Sequence, residues 1–328
     1  FKNVGAVTVP VPAKDVLRNP EITVIKYLND VPASGWEFCL RDSAGNTLPA
    51  GILPPEEAAC QNTDASGTVT WSEILAASEA PGSTFRVIET PQSGIVLDKI
   101  EGTNCVASGT NPPSADATVL AAFDTPTNAT CEFYNVDAPA SLTLVKRVVN
   151  DDGGSATVAD FNLATDAGTL TPFSAGVPDG TDTLKYTRQP LSGLSAGAYP
   201  LRESDVDGYT EGTWSCTTGG TVTDSSIDNG SVTLANGADV TCTITNDDDA
   251  ASLTLVKRVV NDDGGSATVA DFNLATAAGT LTPFCAGVPD GTDTLKYTSQ
   301  TLSGLSAGAY TLRESDVAGY TEGTWSCT

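Results

Sequence analysis

Lysine, glutamate and asparagine recur in that order along this chain, each at a place where an apolar residue is expected. Lys146 lies in SLTLVKRVV (141–149), Glu203 in AYPLRE (198–203) and Asn246 in VTCTITN (240–246). Side chains of an extended strand alternate between faces. Lys146 therefore shares a face with Leu142, Leu144 and Val148, Glu203 with Tyr199 and Leu201, and Asn246 with Val240, Cys242 and Ile244. The set stands a second time as Lys26 (in phase with Ile22, Val24 and Leu28), Glu89 (Phe85, Val87) and Asn135 (Cys131, Phe133). It opens a third time with Lys257 and Glu314. An isolated ammonium or carboxylate is very costly to bury, so such groups are paired, neutralised or chemically used. Two readings stand side by side. In one, Lys and Glu form a buried ion pair with Asn as a hydrogen-bonding companion. In the other, burial lowers the Lys pKa and raises the Glu pKa. A neutral amine then attacks the Asn side-chain carbonyl while the neutral carboxylic acid donates to its oxygen and shuttles protons as ammonia leaves.

The elements that must position these residues are strands. Short Val/Leu/Thr runs are separated by turn clusters such as NDDGG, PDGTD and SDVDG, the pattern of an all-β chain. SEILAASEA (72–80) is the one stretch with a helical look. Residues 141–217 align without a gap with 252–328 at an offset of 111, differing at six of 77 positions. This is a tandem repeat of a whole domain. The expected organisation is a closing strand of a preceding domain plus a linker over 1–20, a divergent domain 1 over 21–137, domain 2 over 140–247 and domain 3 over 252–328. FKNVGA at the start resembles FYNVDA at 133–138, which assigns Asn3 to that preceding domain. By analogy with domain 2, domain 3 lacks its closing strand within 252–328. A rival expectation has the opening strand completing domain 3 of a neighbouring chain. Short acidic junctions suggest a stiff rod.

Cys105 and Cys131 stand 26 residues apart, as do Cys216 and Cys242, and in both pairs the second Cys lies four residues before the Asn of its set. One spacing kept by two divergent domains points to a disulfide at one site of one fold, with Cys39 and Cys60 as the remaining pair of domain 1. Cys285 and Cys327 have no partner in this logic. There is no CxxC and no His, which disfavours a metal centre. Disulfides place a protein outside the cytoplasm. The net charge of −25 repels nucleic acid and anionic lipid, and no apolar run reaches membrane-spanning length. His-dependent catalytic triads are excluded and no phosphate-binding Gly-rich loop is present, so turnover catalysis has no site. NDDGG (150–154, 261–265) and DDD (247–249) read as turns and solvated loops, with calcium as the lesser reading and no other cofactor expected.

LTLVKRVVND, AGAYPLRESDVDGY and TCTITND, with ITVIKYLND, STFRVIETPQSG and CEFYNVD in domain 1, resemble the CnaB/SpaA-type, prealbumin-like domains of bacterial surface pilins and adhesin stalks. The resemblance covers nearly the whole chain. It implies tandem immunoglobulin-like β-sandwiches arranged end to end, Lys–Asn isopeptide bonds and an isopeptide-promoting Glu in each domain. Position by position these are Lys26, Glu89 and Asn135, then Lys146, Glu203 and Asn246, then Lys257 and Glu314. The disulfide beside the last strand departs from the pilin pattern. The function implied is structural: a subunit of an extracellular surface filament, built as a homopolymer or long tandem array, with bond formation as a single-turnover maturation step. The alternatives are an adhesin whose divergent domain 1 binds a host or surface ligand, and an envelope or S-layer component.

Overall fold

The computed structural model describes residues 17–77, 81–123, 125–217, 220–226 and 229–327, with 220–226 and 229 described by backbone alone. Asn3 and the proposed closing strand around it lie outside the described residues. The chain divides into two compact units. The first holds the described residues through Ser141 with Ser192–Gly197 and Leu234–Ala238, and the second holds the rest.

Domain 1 is built from two sheets. One places Ile22–Leu28 beside Ala129–Asp137, with Ile95–Thr103 beyond the latter and Val31–Pro32 and Thr68–Trp71 pairing the former. The other runs Cys60–Asn62, Glu37–Asp42, Ser83–Glu89, Pro113–Val119, Cys105–Thr110. Alternation decides which side chains meet between them. Ile22, Val24 and Phe133 from the first sheet pack on Phe38, Leu40, Phe85 and Val87 from the second. Phe38 meets Phe133 edge to face at 5.0 Å. The first and last strands of the domain pair in parallel, Ile22 opposite Ala129 through Leu28 opposite Asn135. Asn29 and Asp30, with φ of 50° and 63°, make the two-residue turn into Val31–Pro32. Left-handed backbone at both central positions matches the twist of a tight hairpin, and Asn and Asp tolerate it.

Residues 72–77 are not helical, contrary to the expectation from SEILAASEA. The backbone there is taken by neighbours: Ile74 N donates to Pro20 O and Leu75 N to Ile52 O. Ile74 is wholly buried in the core, so tertiary packing overrides a weak local preference. Residues 17–20, read as linker, run along the domain, with Arg18 N donating to Ala122 O at 2.9 Å.

In domain 2, Ala140–Val149 and Asp239–Asp248 are neighbours in a sheet ordered Val177–Pro178, Thr183–Thr187, Ala140–Val149, Asp239–Asp248, Tyr209–Glu211. A second sheet runs Ala164–Thr165, Gly197–Arg202, Asn229–Leu234, Gly220–Ser226. A 3₁₀ turn at Val158–Asp160 delivers Phe161 to the core, where it is wholly buried. Asp160 fastens that turn by accepting from the Thr157 backbone N–H at 2.8 Å and from the Thr157 hydroxyl at 3.1 Å. Domain 3 repeats the device with Val269–Phe272, closed by Thr268 and Asp271. Its Lys-bearing strand, Val256–Val260, pairs Thr294–Thr298, which pairs Val288–Pro289.

Gly102 stands opposite Cys131 in the Ile95–Thr103 pairing and has φ of 146°. A Cβ there would lie 1.9 Å from Thr130 O. Gly102→Ala is expected to destabilise domain 1 by about 1–3 kcal/mol through forced backbone displacement, read as a lowered unfolding midpoint in denaturant.

Candidate functional site

In domain 1 the three singled-out residues converge between the sheets. Lys26 lies opposite Phe133 and Asn135 opposite Leu28, so Asn135 sits one pleat further along the adjacent strand and on the same face. Glu89 ends Ser83–Glu89 and comes from the facing sheet, opposite Phe38. Lys26 Nζ is 3.0 Å from Glu89 Oε1 with both side chains wholly buried. Asn135 Nδ2 donates to the same Oε1 at 2.6 Å. The Trp36 ring floors the site, its centroid 4.2 Å from Nζ. Glu89 Oε2 and Asn135 Oδ1 are buried without a hydrogen-bond partner among the described residues, an expensive arrangement that marks a place where chemistry is worth seeking.

Domain 2 assembles the same groups, Lys146 and Asn246 from the adjacent strands Ala140–Val149 and Asp239–Asp248 and Glu203 directly after Gly197–Arg202. Lys146 Nζ donates to Glu203 Oε1 at 2.5 Å and also to Asn246 Oδ1. Lys146 and Glu203 side chains are wholly shielded from solvent, and Phe161 replaces the tryptophan as the floor at 3.9 Å. In domain 3, Lys257 Nζ donates to Glu314 Oε1 above Phe272 at 4.1 Å. These two side chains keep 14% and 8% of their surface exposed. The aromatic floor escaped the sequence reading. Trp36 and Phe161 stand at unequal distances from their lysines, and only the identical Phe161/Phe272 placement in the repeats could have hinted at it.

The model of a family of prealbumin-like fold domains, SpaA type, matches residues 137–244 and again 248–328. The chain belongs to this family. Among solved structures, the SpaA-type chain is similar to the major pilin protein (T-13) of Streptococcus pyogenes, at 16% identity over 71% of this chain and 98% of that one, TM-score 0.26. It is also similar to the Bacillus anthracis TIE protein, at 16% identity over 92% of this chain and 46% of that one, TM-score 0.36. A third is the shaft pilin SpaA of Lactobacillus rhamnosus GG, at 15% identity over 71% and 98%, TM-score 0.22. No curated protein matches the chain.

Electrostatics in the two complete SpaA-type sites follow from burial. Desolvation lowers Lys26 and Lys146 from 10.5 to about 8, against the pull of Glu89 and Glu203 in the other direction. The same desolvation raises Glu89 and Glu203. Burial thus moves the amine and the carboxyl each towards the neutral form that a nucleophile and a proton donor need.

All three expected disulfides are formed: Cys39–Cys60, Cys105–Cys131 and Cys216–Cys242. Cys39 faces Cys60, and Cys216 faces Cys242, directly across antiparallel strands. Cys285 and Cys327 are exposed thiols. Cys285 Sγ accepts from Thr298 N at 3.1 Å, where Ser174 Oγ accepts from Thr187 N at 2.9 Å in domain 2. In the acidic cluster Asp151, Asp152 and Asp248, the buried Asp248 accepts backbone N–H bonds from Asp152 at 3.1 Å and Gly154 at 2.5 Å. Its oxygens therefore serve the NDDGG turn.

A chain carrying Asn135→Ala and Asn246→Ala keeps both buried Lys–Glu pairs but has no amide to attack. The raised Glu residues hold protons longer folded than unfolded, so stability falls as pH climbs above about 4.5. The lowered Lys residues hold protons longer unfolded, so stability rises again between about pH 8 and 10.5. Urea midpoints across this range should pass through a minimum. A flat profile would deny the shifts.

Proposed function

We propose that this SpaA-type chain is a structural segment of an extracellular surface filament, a pilus shaft or stalk, whose domains lock themselves with Lys–Asn isopeptide bonds and disulfides. The observation carrying this reading is the double convergence of a buried Lys, Glu and Asn, with Lys and Asn on the adjacent first and last strands of a domain. Neutral Lys146 attacks Asn246 Cγ. Glu203, protonated, donates to the amide oxygen and then manages the proton traffic while the Cγ–Nδ2 bond breaks and ammonia departs. Lys26, Glu89 and Asn135 act the same way in domain 1. The aromatic floors help shut water out of the site, and that burial favours the uncharged amine. Lys257 and Glu314 are the corresponding pair of domain 3. The partners are further copies of the same chain or further domains in tandem, and the setting is oxidising and outside the cell, consistent with three disulfides.

Family membership supports the filament reading, and tandem near-identical domains suit a role in reach and stiffness. In domain 1, parallel pairing brings the chain in at one end of the sheet and out at the other. A Lys26–Asn135 bond would carry tension from the first strand directly into the last, leaving the sequence between them outside the load path.

Intact mass of the fully reduced chain is the test. Loss of two ammonia equivalents is expected, one abolished by Glu89→Ala and the other by Glu203→Ala. An unshifted mass would leave the two sites as buried polar clusters.

A further inference from the structure

Asn246 has a neighbour on each side, and only one of them has a role so far. In the sheet of domain 2 the Asn strand lies between the Lys strand and Tyr209–Glu211. Glu211 is directly opposite Asn246 in the antiparallel pairing. Side chains directly opposite share a face, with Cβ atoms roughly 4.5–5.5 Å apart, so the Glu211 carboxyl is within reach of the Asn246 amide from the side away from Lys146. Both Glu211 carboxyl oxygens are shut off from solvent. Its charge is felt at Lys146.

The strand holding Glu211 is firmly placed. Tyr209 packs edge to face on Phe161 at 5.5 Å and donates to Asn150 Oδ1 at 2.5 Å. Gly212 N donates to Thr245 O at 2.8 Å, an approach so close that a Cβ on Gly212 would stand 2.6 Å from that oxygen. Beyond it the Cys216–Cys242 disulfide ties Ser215–Cys216 to the Asn strand. In domain 1 the residue opposite Asn135 is Leu97, so domain 1 has no carboxylate at this register place. Glu322 holds the matching place in the domain 3 repeat.

We propose that Glu211 is a second carboxylate of the domain 2 site, accepting the proton that Lys146 must lose and returning it to the nitrogen that leaves Asn246. The inference rests on the isopeptide reading above. The Lys146 Nζ–Asn246 Cγ bond forms and the Asn246 Cγ–Nδ2 bond breaks. Lys146 enters as ammonium and gives its proton to Glu211. Glu203 lends its own proton to the carbonyl oxygen and recovers one from the attacking nitrogen. Glu211 passes its proton to the departing nitrogen, and the last proton leaves with it as the carbonyl reforms. Ammonium is released and both carboxyl groups end as they began. Lys146 feels Glu203 as well as Glu211, and Glu203 in turn feels Asp205.

The experiment follows cross-linking in the full chain after a pulse of cell-free synthesis under oxidising conditions. Digests are taken over time and the Lys146–Asn246 and Lys26–Asn135 peptide pairs are quantified by mass spectrometry. Glu211→Gln and Glu211→Leu, the latter supplying the residue type domain 1 tolerates, should slow the Lys146–Asn246 pair by roughly a hundredfold, the scale of one general acid–base group. Lys26–Asn135 should form at its usual rate, and Cys216–Cys242 should still close. The deficit should shrink above about pH 8, where Lys146 is neutral unaided. An unchanged or faster rate in Glu211→Gln would overturn the proposal, since a carboxylate that merely held Lys146 charged would retard the reaction. Absence of the Lys146–Asn246 pair from the unaltered chain, at any time, would overturn the isopeptide reading itself and this proposal with it.

Discussion

Everything at the centre of each complete domain is arranged around one cost, that of taking an ammonium and a carboxyl out of water together. Lys26 and Glu89, and Lys146 and Glu203, are shielded to the point where neither member is comfortable as an ion. A buried pair of this kind balances a large desolvation penalty against a Coulombic gain that depends on geometry. The surroundings accordingly leave little freedom. Phe161 beneath Lys146 is fixed by a 3₁₀ turn with its own Asp160 clasp. Glu89 and Glu203 approach from the facing sheet. Formation of an amide would resolve the tension chemically, because it replaces the buried amine by a neutral group and expels the charge as ammonium.

The energetic scale of such a bond follows from chain length. Lys146 and Asn246 are separated by 100 residues, and closing a loop of about 100 residues removes about 4.7 kcal/mol of denatured-state entropy in the loop-closure model. That is comparable with the whole net stability of many domains. The disulfides close shorter loops of 26 residues in each complete domain, and they attach to the strand that carries the Asn.

Much of this was legible because the relevant signal is one-dimensional. Alternation along SLTLVKRVV fixes the face of Lys146, and the equal spacing of Cys105–Cys131 and Cys216–Cys242 identifies two equivalent cross-links. The all-β class follows from turn spacing. What alternation cannot give is adjacency. That Asp239–Asp248 lies between Ala140–Val149 and Tyr209–Glu211 is a property of the sheet, and so Glu211 in TEGTW reads along the chain as one more surface carboxylate. Trp36 and Phe161 were hidden for a related reason: each reaches its lysine from a different distance in sequence and a different local structure. SEILAASEA misled in the opposite direction, since Ile74 and Leu75 answer to contacts with Pro20 and Ile52 that no local preference contains.

The nesting of the domain 1 cross-links has a topological consequence. Cys105 and Cys131 both fall between Lys26 and Asn135, so a Lys26–Asn135 bond would make domain 1 a ring with a smaller ring inside it. One peptide-bond cut anywhere between Lys26 and Asn135 would open that ring without dividing the molecule, and the two ends of the domain would remain covalently joined. Two cuts between Lys26 and Asn135 would free a fragment only if neither Cys39–Cys60 nor Cys105–Cys131 joined a cysteine inside the excised piece to one outside it. A clipped fibre made of such units would show its damage on a denaturing gel as altered mobility, with its length preserved.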